Sequence, residues 1–163
     1  MEKVIIKDLI QTPLERTAEE TLRDAETLYK NGHYHLSYTQ AVYSIEILLK
    51  AVLDKYGMFD KKTDKTHNFR RLMNKIEANK CLPDYTIEGI EKIFSNVNHI
   101  DLTSSSGNYV DCASEETPSL RYPREDSTPS EMVGNCDALK KIDQAKEMFR
   151  IVLPLDGGFV CER

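Results

Sequence analysis

The run HYHLSYTQAVYSIEILLKAVLDKYG, His33 to Gly57, contains no proline and no glycine before its last residue. Tyr38, Ala41, Val42, Ile45, Leu48, Leu49, Val52, Leu53 and Tyr56 recur at steps of three and four, the spacing of one helical face. Leu36, Tyr43 and Ile47 fall on roughly the opposite face. A helix that is apolar on two sides needs cover on both. It is either central in a bundle or buried against a second copy, and Leu36, Tyr43 and Ile47 are the candidate interface residues. Glu46 and Lys50 stand four residues apart on the flank between the two faces, in the order that favours an ion pair. With apolar surface on either side, the pair is expected to be buried or interfacial.

Further helices line up around this one. Thr17 and Glu20 have the spacing of a capping box. Ala18, Leu22, Ala25, Leu28 and Tyr29 continue at helical spacing, and Gly32 is a natural stop. After a polar connection, Thr66 or Asn68 can cap a third helix with Phe69, Leu72, Met73 and Ile76 facing inward. Pro83 and Asp84 punctuate. Ile87, Ile90, Phe94 and Val97 mark a fourth helix reaching towards Leu102. Between Thr103 and Thr128 the chain turns to serines, acidic residues and two prolines, a long loop. Ser127 or Ser130 is placed to cap a last helix with Leu139, Ile142, Ala145, Phe149, Val152 and Leu153 as its stripe. Pro154 and the DGG that follows are expected to end it, leaving 154–163 as a tail. The expected fold is all-α. It is a single domain over 1–163 with its core over about 17–153, an antiparallel up-and-down bundle of about five helices.

Composition narrows the function. The 163 residues carry a formal net charge of -5, so the chain lacks the broad positive field that grips nucleic acid without regard to sequence. Any nucleotide contact is local. Cys81, Cys112, Cys136 and Cys161 are scattered with no CxxC pair, which gives no zinc pattern. No segment approaches the ~18 apolar residues of a membrane span, and the apolar part of MEKVIIKDLI is too short for a signal peptide. The expected location is the cytoplasm. No phosphate-cradling GxxxxGK is present, and no glycine–serine pair precedes paired aspartates that could hold magnesium. No cofactor or metal is implied.

Three segments, in this order, resemble the HEPN family of helical domains found in prokaryotes and eukaryotes. LYKNGHYHLSYTQAVYSIEILLKAVLDKYG is similar to that family's second helix, with its alanine, glutamate and LKA run. KTHNFRRLM is similar to the start of its third helix, with His67 at the family's histidine. LRYP resembles the RYP segment before its last helix. Together they span roughly Thr17 to Leu153. The resemblance implies an all-helical bundle, often a homodimer. It also implies one of two activities. Some members are metal-independent ribonucleases with an R-x4-6-H motif on the last helix. Others are non-catalytic, binding nucleotides or pairing with small nucleotidyltransferases in toxin–antitoxin systems.

The ribonuclease pattern is missing from this chain. Its four histidines, His33, His35, His67 and His99, all precede the long loop, and no arginine is followed by one at the required distance. Cleavage through a ribose hydroxyl needs a positioned acid and base, usually histidine, so no catalytic residue is assigned. The candidate ligand residues are Arg121, Tyr122, His67, Lys50 and Glu46. In SLRYPRED, Arg121 can fork onto a phosphate while Tyr122 stacks on a base. The plainer account is that Arg121 pairs with a carboxylate of the bundle and Tyr122–Pro123 cover its end. His67 can bind a phosphate, or simply hydrogen-bond near a helix start. Glu46 and Lys50 can flank a cleft, or be an ordinary helical ion pair. Three readings result: a non-catalytic nucleotide binder, a module pairing with a nucleotidyltransferase, and a degenerate ribonuclease, in that order.

Overall fold

The computed structural model describes residues 12–64, 66, 68–95 and 133–157, and these form an all-helical bundle. Its helices are α1 (Pro13–Lys30), α2 (Tyr34–Lys55), α3 (Phe69–Ala78), α4 (Asp84–Ser95) and α5 (Asn135–Gly157). No strand occurs among the described residues.

The start of α1 lies one turn earlier than Thr17 and Glu20 would place it. Thr12 is the cap: its hydroxyl accepts from Glu15 N, and the Glu15 carboxylate accepts from Thr12 N in return. Pro13 occupies the first helical position, where a missing N–H costs nothing. Thr17 is already inside the helix, its hydroxyl donating to the Pro13 carbonyl at 2.8 Å. The spacing T-x-x-E thus occurs twice within 12–20, and the proline decides which one starts the helix.

Three helices end in the same way. Gly32 (φ 79°), Gly57 (φ 70°) and Lys80 (φ 51°) are left-handed. Their N–H groups bond back to Tyr29, Asp54 and Glu77, and the following N–H groups bond to Leu28, Leu53 and Ile76. These paired bonds satisfy the last carbonyls of each helix. A left-handed residue suits glycine, and Lys80 takes that conformation with a side chain attached.

The three-residue link Asn31–His33 folds α2 back along α1. Ser37 Oγ donates to the Ala25 carbonyl at 2.7 Å near one end, and Lys55 Nζ lies 3.8 Å from the buried Glu15 near the other. Small residues line this hairpin: Ala18, Ala25 and Ala41 are fully buried. Helix α5 runs antiparallel to α1, with Tyr29 Oη donating to Asn135 Oδ1 at one level and Glu26 pairing with Lys146 at 3.1 Å further down. It is therefore parallel to α2, an arrangement that the long connection before it permits. Phe69 and Phe94 meet edge-on at 4.5 Å, joining the start of α3 to the end of α4. A side-chain methyl added at Gly89 of α4 would sit 3.4 Å from Ile151 Cδ1 of α5.

Asn68 caps α3, accepting from Arg71 N at 2.9 Å, and Phe69, Leu72, Met73 and Ile76 are buried as the pattern requires. Of the α4 stripe, Ile87, Ile90 and Phe94 are buried, while Val97 lies outside the described residues. The last helix differs at both ends from its sequence reading. It begins at Asn135, with Asp137 accepting from Gly134 N at 2.9 Å; Ser127 and Ser130, the expected caps, lie outside the described residues. It also runs through Pro154 to Gly157. A proline there has no N–H to give the Arg150 carbonyl. Leu139, expected inward, is exposed, and its place in the core is taken by Ala138 and Met148.

Candidate functional site on the α2–α5 side

Helix α2 is buried over most of its circumference, and it carries a buried glutamate, Glu46, beside the largely covered Lys50. Tyr38, Val42, Glu46 and Lys50 follow one another at four-residue steps, a line that drifts slowly round the helix. Tyr38 and Val42 pack with Ala138 of α5 and with Val133. Glu46 and Lys50 continue the line, about 80° and 120° round the helix from Tyr38. Lys50 Nζ donates to Glu46 Oε1 at 2.6 Å, and the two side chains are only 13% and 10% exposed. The expectation of a buried pair is met in this geometry.

Helix α5 answers with polar groups of its own. Lys141 is 3% exposed, and its ammonium lies 5.1 Å from the centroid of the Tyr38 ring. At that distance the face of the ring attracts the cation. Gln144, one turn further along α5, is also 3% exposed. Neither its amide nitrogen nor its amide oxygen has a hydrogen-bond partner. Helices α2 and α5 thus hold an ion pair, a cation on an aromatic face and an unpaired buried amide, and the bundle buries charge elsewhere too, at Glu15 beside Lys55 and at Asp64 beside Lys75.

Lys141 and Gln144 were not among the residues picked from the sequence. The apolar stripe Leu139, Ile142, Ala145, Phe149, Val152 and Leu153 draws the eye to one side of α5. Lys141, Gln144 and Met148 form a second row at helical spacing beside it. A polar row flanking an apolar one normally reads as the solvent margin, and only the packing of α2 shows that it is inside.

The other candidates are distributed differently. Arg121, Tyr122 and His67 lie outside the described residues, as does the 103–128 loop. On the outer side of α2, Leu36 is 44% exposed while Tyr43 and Ile47 are half-buried, and Ile47 packs against the main core. A separate groove of about 300 Å³ runs between α1 and α5 over Leu22 and Phe149. Its charged lining residues are paired, Glu19 with Arg23, Glu26 with Lys146, and Arg150 with Glu147 beside the groove. Among the described residues no group of three His, Cys, Asp or Glu side chains is placed to hold a metal, and no helix is long and apolar enough to cross a membrane.

The described elements make this an all-helical domain. The HEPN domain profile matches residues 14–153, from the first turn of α1 to the penultimate turn of α5. The chain belongs to the HEPN family. Comparison with curated proteins and with solved structures gives no match to either.

Proposed function

We propose that this HEPN protein is a non-catalytic module that binds a nucleotide or nucleotide-derived anion on its α2–α5 side. The observation that carries this reading is the enclosure of ionised groups there: Glu46 with Lys50, and Lys141 against Tyr38. Taking charges out of water is unfavourable, and a buried ion pair is often no more stable than apolar residues of the same volume. Buried charge stabilises this bundle at Asp64 and Lys75, and it is also a mark of functional sites, the role proposed for Glu46, Lys50 and Lys141. The lysines supply charge of the sign that a phosphate pairs with. Arg121 and Tyr122 are proposed as a second phosphate contact and a base contact, and His67 as a further phosphate donor. The lack of a histidine in α5 argues against the ribonuclease chemistry of other members.

The test is a thermal-shift panel of nucleoside mono-, di- and triphosphates on the wild type and on Arg121→Ala. The expected result is a rise in melting temperature with at least one nucleotide that shrinks or vanishes in the variant. No shift with any nucleotide would reject the reading.

One observation favours a second reading, pairing with a nucleotidyltransferase. Leu36 stands 44% exposed on the outer side of α2, above the half-buried Tyr43 and Ile47. Loss of co-purification with such a partner in Leu36→Lys, with melting temperature unchanged, would support it.

A further inference from the structure

We propose that Asn31 is a spontaneous modification site, a deamidating asparagine that the turn between α1 and α2 keeps unreacted while it is closed. Asn31 directly follows α1 and precedes Gly32, the only Asn-Gly pair in the chain. An asparagine side chain is open to attack by the backbone nitrogen of the next residue. Gly32 N, once its proton is lost to hydroxide, bonds to Asn31 Cγ, and Nδ2 leaves as ammonia. Water then opens the five-membered ring at one of its two C–N bonds, giving an aspartyl or an isoaspartyl residue. Glycine favours the first step because no side chain crowds its nitrogen. Both residues are exposed, so hydroxide and water reach them. The closed turn opposes the attack in three ways. Ring closure needs Cβ and Gly32 N on the same side of the Cα–C bond, whereas at ψ 6° it is Asn31 N that eclipses Gly32 N. Asn31 Nδ2 donates to the Thr27 carbonyl at 2.9 Å. Gly32 N–H is committed to the Tyr29 carbonyl at 3.0 Å. Asn79 ends α3 with the same wiring: ψ is 4°, Nδ2 donates to the Lys75 carbonyl at 2.8 Å, and Lys80 N–H bonds to Glu77. There the next residue is lysine, so Asn79 separates the effect of the turn from that of the glycine. Conversion at Asn31 puts a negative charge at the end of α1, where the helix dipole disfavours it, and takes a donor from the Thr27 carbonyl. The isoaspartyl product also routes the backbone through the former side chain, lengthening the link between α1 and α2.

The test follows Asn31 and Asn79 by peptide mass spectrometry while the full chain is incubated at mildly alkaline pH, in buffer and in denaturing guanidinium. In guanidinium, Asn31 is expected to convert, and Asn79 to convert about tenfold more slowly or less, since lysine crowds the attacking nitrogen. In buffer, conversion of Asn31 is expected to be about tenfold slower than in guanidinium or slower still, because it waits for the turn to open. Asn31→Asp, the aspartyl product, is expected to melt about 1–4 °C below wild type. An Asn31 that stays intact in guanidinium, or that converts there no faster than Asn79, overturns the site. Equal rates in buffer and guanidinium overturn protection by the turn. An Asn31→Asp chain that melts with the wild type overturns the role given to the amide in holding that turn.

Discussion

At the scale of single residues, the chain shows where local chemistry was overruled by its surroundings. Lys80 closes α3 in the left-handed conformation that Gly32 and Gly57 adopt at the ends of α1 and α2. Its hydrogen bonds to Glu77 and, through Cys81, to Ile76 are the same as theirs. An L-residue in that region costs roughly 1–2 kcal/mol relative to its normal conformations. Lys80→Gly is therefore expected to stabilise the protein by about 1 kcal/mol after the greater freedom of glycine in the unfolded chain is counted. For a domain of this length that is a rise of about 2–4 °C in melting temperature, read by calorimetry. The two glycine stops were legible in the sequence because glycine advertises the conformation it permits. Lys80 advertises nothing, and the stop it makes follows from Ile76 and Cys81 needing to enter the core together.

At the scale of elements, the connection between α2 and α3 is held by one carboxylate. Asp64 is buried, and its Oδ2 accepts from Asp60 N at 2.7 Å and from Lys75 Nζ of α3 at 2.6 Å. Burial alone pushes this carboxyl up, but the hydrogen bonds from Lys75 and Asp60, with the charges of Lys75 and Arg71, outweigh it and hold the group below the ordinary aspartate range. A carboxyl lowered on folding contributes stability that is complete above its unfolded value and is lost as pH falls through its folded one. With an ordinary value near 3.8, the contribution of Asp64 is whole at pH 6 and disappears in the acid range below about pH 4. Asp64→Asn is expected to lose about 2 kcal/mol at pH 7, the scale of hydrogen bonds to a charged group, and much less at pH 3. Urea denaturation at the two pH values checks it. Little of this clip was readable in advance. DKKTDK looks like a solvated charge run, and the burial of its second aspartate depends on where α3 lies. Helical spans were more legible, since periodicity survives packing, while both ends of α5 depended on tertiary context that local signals do not carry.

At the scale of the whole molecule, the account holds that the bundle spends core volume on charge for the sake of a ligand. The sequence carried much of this. The two-faced second helix, its Glu46 and Lys50, and the likeness to HEPN domains were all visible, because they rest on repeated spacing within single helices. The partners across the seam, Lys141 and Gln144, were not, because membership of an interior row is decided by which neighbouring helix covers it. The most direct test of the claim is chemical denaturation of wild type and Glu46→Leu/Lys50→Met, each with and without the best-binding nucleotide. Wild type is expected to gain about 2.7 kcal/mol at a hundred times the dissociation constant. The double variant is expected to be as stable as unliganded wild type, or more stable by up to about 2 kcal/mol, and to gain nothing from the nucleotide. A double variant that loses several kcal/mol without ligand, or that gains as much from the nucleotide as wild type does, would contradict the account.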